Sequence, residues 1–166
     1  MTDQTHAERL AGLVPGFKPR AQALLETMVR LGESQPWRPV VIYGLRSEAK
    51  QEEIYHEGRE RYVIREGSKL VTRWRPGGQG VIRTKARAWE SPHVFGLAVD
   101  IALVSDSEGA WLPAGDYAWE VLEREANRLG LETGRTWKFV DCAHVQDPEW
   151  KTLAADQIEV VRRKYV

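Results

Sequence analysis

The apolar positions of this chain follow two periods in turn. Between residues 17 and 33, Leu24, Leu25, Met28 and Leu31 recur at every third or fourth position, a spacing that lines one side of a helix. Trp37 to Tyr43 is short, apolar and rich in β-branched residues. That is a strand pattern, and Gly44 ends it. Ser47 is placed to cap a helix over residues 48–57. From Gly96 to Val104, Leu97, Val99, Ile101 and Leu103 alternate with Ala98, Asp100 and Ala102. A strand there presents one apolar face and one face of small residues around a single carboxylate. Residues 116–129 predict an amphipathic helix with Tyr117, Val121, Leu122 and Leu129 inward, closed by Gly130. Trp137 to Val145 predicts a last strand, and Leu153 to Val166 a closing helix.

The length of 166 residues, without repeats or a low-complexity linker, fits a single domain over 1–166. Hydrophobic content of 42% and charged content of 29% are those of a soluble globular protein. The formal net charge is zero, so no global basic balance points to nucleic acid. One cysteine excludes an intrachain disulfide framework. No apolar run approaches the roughly 18 residues of a membrane span. Met1 to His6 lacks the basic and apolar regions of a signal peptide. The expectation is synthesis in the cytoplasm, with delivery elsewhere left to another agent.

Residues 59–87 change this uniform picture. They hold nine basic residues against Glu60 and Glu66 alone, a local charge of +7. Pro76-Gly77-Gly78-Gln79-Gly80 interrupts them. The composition predicts a long basic loop, and a loop of that length inside a compact domain is either functional or a solvated surface excursion.

The candidate chemistry lies in two short runs, Ser91 to Asp100 and Asp141 to His144. An ionised carboxylate in a central strand is costly unless it is paired or bound to a metal. Ala98 and Ala102 leave room for such a partner at Asp100, which is either a metal or an arginine of the basic segment. His93 lies seven residues earlier, and Gly96 permits the turn that brings it back over Asp100. His144 lies on another strand. Two imidazoles and a carboxylate form a common catalytic zinc set with one position open for water. Asp141 precedes His144 by three residues, so on a regular strand the two face opposite ways. A bulge or turn must intervene for them to share a site. If they do share it, Asp141 can act as a general base. Cys142 between them reads as a small buried filler.

Ser91 to Asp100 resembles, at every fixed position, the Ser-x-His-x-x-Gly-x-Ala-x-Asp signature of the zinc D-Ala-D-Ala carboxypeptidase and L-alanyl-D-glutamate endopeptidase family. That family includes vancomycin-resistance dipeptidases and phage endolysins. Asp141-x-x-His144 resembles its second motif. Gly44-Leu45-Arg46-Ser47 with Gln51 and Tyr55, and Trp137 to Asp141, resemble two further segments, so the likeness runs in family order over residues 44–146. Leu45 in place of Tyr, a Trp137-Lys138-Phe139 segment one residue short, and Gln146 where many relatives carry Glu are departures that bear on substrate preference.

The resemblance implies an α+β fold of the hedgehog/DD-peptidase type, a small antiparallel sheet flanked by helices with zinc on the sheet. It implies Zn2+ held by His93, Asp100 and His144, Asp141 as catalytic carboxylate, and Arg46 as the group that stabilises the oxyanion. Ser91 and Gln51 are the substrate-binding candidates. The implied partner is a peptidoglycan stem peptide, cut by a monomer between L-Ala and D-Glu, without nucleic acid or stable membrane insertion. The alternatives are a D,D-carboxypeptidase or dipeptidase of the same fold, and a zinc-binding module without catalysis. The same donors also suit non-haem iron, but oxygenases usually place the first His and the carboxylate two residues apart.

Overall fold

The apolar face of residues 97–103 goes where its alternation sends it. In the computed structural model, which describes residues 3–165, Leu97, Val99, Ile101 and Leu103 all enter the main core. The elements run α1 (Asp3–Ala11), α2 (Lys18–Gly32), β1 (Trp37–Tyr43), α3 (Glu48–His56), β2 (Arg59–Glu66), β3 (Lys69–Pro76), two 3-10 turns (Ala88–Glu90 and Pro92–Phe95), β4 (Ala98–Ser105), α4 (Ala118–Arg128), β5 (Glu132–Gly134), β6 (Asp141–Gln146), α5 (Trp150–Leu153) and α6 (Ala155–Arg163). The main sheet is antiparallel with strand order β1-β4-β6-β5. The chain is thus a mixed α+β domain, a small antiparallel sheet with helices around it.

Helices α2 and α4 cover one face of the sheet. Phe17, Leu24 and Met28 on one side and Trp119 and Leu122 on the other meet Val41, Val99, Ile101 and Val145 there. On the opposite face of β4, Ala102 and Val104 pack with Val40 and Ile42 in a smaller cluster. Asp100 lies on that second face, at the centre of the sheet, opposite Tyr43 on β1 and His144 on β6.

Local chemistry explains the elements that match expectation. Ser47 Oγ accepts a hydrogen bond from the Lys50 amide at 3.2 Å and caps α3, a contact usually worth about 1 kcal/mol. Just ahead of α4, the Asp116 carboxylate accepts from the Ala118 amide at 2.9 Å and turns the chain into the helix.

Several expectations are corrected. Residues 59–76 are not a loop but a hairpin, β2 with β3, followed by the glycine-rich turn. Apolar residues lie on both faces of the hairpin, Tyr62, Ile64 and Val71 on one and Val63 and Leu70 on the other, so no alternation stands out among the arginines. Tyr117 is not on the inner side of α4 but 65% exposed, because α4 begins at Ala118, two residues later than expected, and Trp119 lies inward instead. The last strand starts at Asp141 rather than Trp137. Residues 135–139 turn back over the sheet from the short β5, which the pattern did not predict. Helix α1 was also unpredicted. The closing helix is two pieces, α5 and α6, and Val166 lies outside the described residues, as do Met1 and Thr2.

Candidate metal centre

His93 reaches Asp100 by way of a left-handed residue. The 3-10 turn Pro92–Phe95 ends on Gly96 at φ +68°. A Cβ there would sit 2.9 Å from the Gly12 carbonyl oxygen, so only glycine fits both the angle and the space. The turn carries His93 back over β4, and the imidazole Nε2 lies 3.1 Å from Asp100 Oδ1. His144 Nδ1 lies 3.3 Å from the same oxygen and 3.2 Å from His93 Nε2. Both imidazoles are buried.

The outer partners of the two rings fix their tautomers. His93 Nδ1 lies 2.9 Å from the Gly44 carbonyl oxygen. A carbonyl only accepts, so Nδ1 carries the hydrogen and Nε2 presents a lone pair. Gln146 Nε2 donates to Glu132 Oε1 at 2.9 Å, which turns Gln146 Oε1 toward His144 Nε2, also at 2.9 Å. His144 therefore donates from Nε2 and presents the Nδ1 lone pair. Two lone pairs 3.2 Å apart, beside a carboxylate oxygen, repel one another unless a cation lies among them. In the folded protein that cation is a proton or a metal. The donor set of His93, Asp100 and His144, each offering one atom within 4.8 Å of the others, fits a metal ion, with outer hydrogen bonds of the kind that orient metal ligands.

Electrostatics agree. When protons rather than a metal lie between the rings, burial alone would raise the Asp100 carboxyl, but the positive charge at His93 and the hydrogen bonds the imidazoles then donate push it far below the usual carboxylate range. Burial alone would lower His144, but the hydrogen bond to Asp100 and its charge raise it. Asp100 also receives the Arg46 guanidinium at 3.2 Å. Its arginine partner thus comes from the α3 approach and not from the basic 59–87 segment.

Asp141 and His144 line the same cleft. The irregularity needed for that is present. Thr133 pairs with Val145, yet the next residue, Gly134, pairs with Asp141, so β6 bulges between them. A Cβ on Gly134 would approach the Asp141 carbonyl oxygen to 2.6 Å, and the bulged strand needs a glycine opposite it. A second irregularity lies on the other side of Asp100, between Val41 and Tyr43. The Asp141 carboxyl is raised above the ordinary value, first by burial and then by the charge of Asp100.

Arg46 is held at three points. It donates to Gln51 Oε1 at 2.8 Å and to Asp100, and its guanidinium lies 4.9 Å from the centre of the Tyr43 ring. Gln51 is fully buried, and its Nε2 donates to the Ala86 carbonyl at 2.8 Å. Both ends of that amide are occupied by the protein. Ser91 is 3% exposed and lines the cleft beside His93. Cys142 is half-buried rather than buried, and burial and the Asp141 charge push its thiol up, which disfavours a thiolate.

The cleft has a volume of about 1060 Å³. Trp137, Phe139, Trp111 and Tyr43 form an aromatic rim, and Lys85, Lys138 and Arg83 add positive charge. The sequence did not single out Glu132 or the Gly44 carbonyl. Each acts through a hydrogen bond that no motif spacing encodes. Gln146 drew attention only as a departure, and its contact with His144 explains why a carbonyl or carboxylate acceptor is needed there.

Two comparisons bear on this site. Residues 84–147, which hold all three candidate ligands and Asp141, match a family model described as D-alanyl-D-alanine carboxypeptidase. The chain is also 32% identical over 115 residues to the peptidoglycan L-alanyl-D-glutamate endopeptidase CwlK of Bacillus subtilis (strain 168). That alignment covers 64% of this chain and 59% of the relative, so the chain spans less than two thirds of the relative's length. Over the stretch that carries its candidate ligands and acidic residue, the chain is similar to the D-alanyl-D-alanine carboxypeptidase family.

Proposed function

We propose that this protein is a zinc-dependent peptidoglycan peptidase that hydrolyses the stem peptide between L-Ala and D-Glu. The observation that carries the reading is the pair of imidazole lone pairs turned toward each other and toward Asp100, beside a carboxyl raised by burial. The likeness to a relative that cuts this bond supports the choice of substrate. The same reading carries the hedgehog/DD-peptidase-type fold.

Zinc held by His93, Asp100 and His144 would act as a Lewis acid on the scissile carbonyl and lower the pKa of water. Asp141 takes a proton from the attacking water and returns it to the leaving amine, a role suited to a carboxyl whose pKa is raised toward the working pH. Arg46 meets negative charge as it develops on the carbonyl oxygen. Its fixed position matters because such contacts count most when they need no rearrangement. Gln51 acts by holding Arg46 rather than by touching substrate, since both ends of its amide are taken. Ser91 on the cleft wall contacts the peptide. The aromatic rim offers flat apolar surface, and Lys85, Lys138 and Arg83 attract the carboxylates of the stem.

The description of the matched family favours one second reading, a D,D-carboxypeptidase. Digestion of purified peptidoglycan, with products read by mass and metal content measured on the same preparation, separates the two. The proposal expects one metal per chain and fragments with a new L-Ala carboxyl terminus. Release of free D-Ala alone assigns the carboxypeptidase reaction, and failure to take up metal refutes both.

A further inference from the structure

The β2–β3 hairpin segregates its charges. Directly opposed residues of an antiparallel pair share a face. One face holds Glu60 with Arg75, Tyr62 with Arg73, Ile64 with Val71 and Glu66 with Lys69. The other holds Arg61 with Trp74, Val63 with Thr72 and Arg65 with Leu70. Both carboxylates of the hairpin lie on the first face, and each is paired there, Glu60 with Arg75 at 2.6 Å and Glu66 with Arg73 at 2.7 Å. Arg75 also covers the Tyr62 ring. On the first face both arginines are paired with carboxylates, only Lys69 is left over, and the ring of Tyr62 is covered.

The second face differs along its length. At its root, Trp74 stacks on His56 of α3, and Arg59 reaches the carbonyls of Tyr55 and Thr84. Beyond that anchor the face is open. Val63 is 53% exposed and Leu70 68%. Arg61 and Arg65 are exposed, and among the described residues neither has a hydrogen bond or ion-pair partner. No acidic side chain shares this face. A two-stranded hairpin is marginal by itself, and this one is fixed at its base while presenting Val63 between two unpaired guanidinium groups and Leu70 opposite one of them.

We propose that this distal face, Arg61, Val63, Arg65 and Leu70, docks the protein on an anionic lipid surface. The argument is complementarity of two kinds at once. Guanidinium groups are drawn to phosphate headgroups. The exposed aliphatic side chains beside them match the acyl boundary beneath, as at interfacial segments that lie on a bilayer without spanning it. A soluble polyanion satisfies the arginines and leaves Val63 and Leu70 in water. The proposal is independent of the reaction assigned to the cleft, because none of these four residues lines it.

The test is sedimentation of the full chain with vesicles of phosphatidylglycerol and phosphatidylcholine, against vesicles of phosphatidylcholine alone. Retention is expected on the anionic vesicles only, weakening as salt is raised. Arg61→Ser with Arg65→Ser lowers the partition coefficient roughly 30-fold. Val63→Ser with Leu70→Ser lowers it by about fivefold or more. Glu66→Gln with Arg73→Gln removes a balanced pair from the other face and leaves partition within about twofold. Melting curves of each variant confirm folding, and because the two face variants remove different chemistry, loss of one to misfolding leaves the other decisive. Equal binding to neutral vesicles, or partition unaffected by both face variants, overturns the proposal. Binding to soluble polyphosphate that is as tight as to vesicles and insensitive to Val63→Ser with Leu70→Ser also overturns it, and assigns the face to a polyanion.

Discussion

If His93, Asp100 and His144 hold a metal as proposed, its removal destabilises the protein most at alkaline pH. On this geometry, with no metal bound, a proton between His93 Nε2 and His144 Nδ1 relieves the repulsion of their lone pairs beside Asp100. His144 is raised above its ordinary value of 6.5. Its stabilising contribution is therefore fully present below about pH 6.5 and is lost as pH rises through the raised folded value. Asp100 is depressed from 3.8. Its contribution is present above about pH 4 and is lost only as pH falls well below that. Asp141, raised from 3.8 by burial, adds to the loss of metal-free stability as pH rises through its own folded value. Metal binding needs His144 neutral, so protons compete with it. Each pH unit below the metal-free His144 value weakens apparent binding by about 1.4 kcal/mol. At zinc about 100 times its dissociation constant, binding adds about 2.7 kcal/mol. For 166 residues this corresponds to a rise in melting temperature of roughly 5–11 °C. The assay is calorimetry with saturating zinc and with chelator at several pH values from 5 to 8.5. The gap between the two melting temperatures widens with pH. A gap that is constant across this range, or absent throughout, refutes the shared-proton account of the site.

Three further outcomes follow from the same geometry. Asp141→Asn lowers kcat about 10²–10⁴-fold while metal content is unchanged, and it does not lower the melting temperature of the metal-free protein above pH 5, because it removes a desolvated charge; metal loss in this variant contradicts the assigned role. Gln146→Leu leaves His144 Nε2 without its acceptor, so metal affinity measured against a competing chelator falls about 10–100-fold, whereas Gln146→Glu retains it. Gln51→Leu strips Arg46 of one anchor and leaves the Ala86 carbonyl unpaired. A loss of about 1–3 kcal/mol in urea unfolding and a lower kcat with little change in KM are expected, and a change confined to KM points to direct substrate contact instead.

The site was legible in the sequence where its chemistry is local. His93, Gly96 and Asp100 stand at fixed spacing on one turn and one strand, and alternation alone placed Asp100 on the face of small residues. The need for a bulge near Asp141 followed from the parity of a strand, and the pairing of Gly134 with Asp141 meets it. The unread part is non-local. Gly44, Glu132 and Ala86 act through backbone or side-chain contacts set by tertiary packing. The hairpin went unread for a different reason. Its faces differ by the pairing of charges and not by hydrophobicity, so residues 59–76 show no period-two apolar signal strong enough to stand out from their arginines. Trp137 to Phe139 carried the aromatic content of a strand, but it forms part of the cleft rim, where aromatic side chains cover a site rather than fill a core.

The two ends of the 59–85 excursion are tied together before the chain reaches the metal centre. The Gly58 amide donates to the Gln79 carbonyl at 2.9 Å, and the Gly77 amide to the Gly58 carbonyl at 3.2 Å. Immediately afterwards, adjacent residues of α3 grip the returning chain. Gln51 takes the Ala86 carbonyl, and the Glu52 carboxylate accepts from the Ala88 amide at 2.8 Å and from the Arg87 guanidinium. The excursion therefore leaves and rejoins the domain at nearly one point. In modular terms it is a cassette, and a change in the length of β2 and β3 is expected to leave His93, Asp100 and His144 in place, because α3 grips the chain again at residues 86–88 before it reaches them.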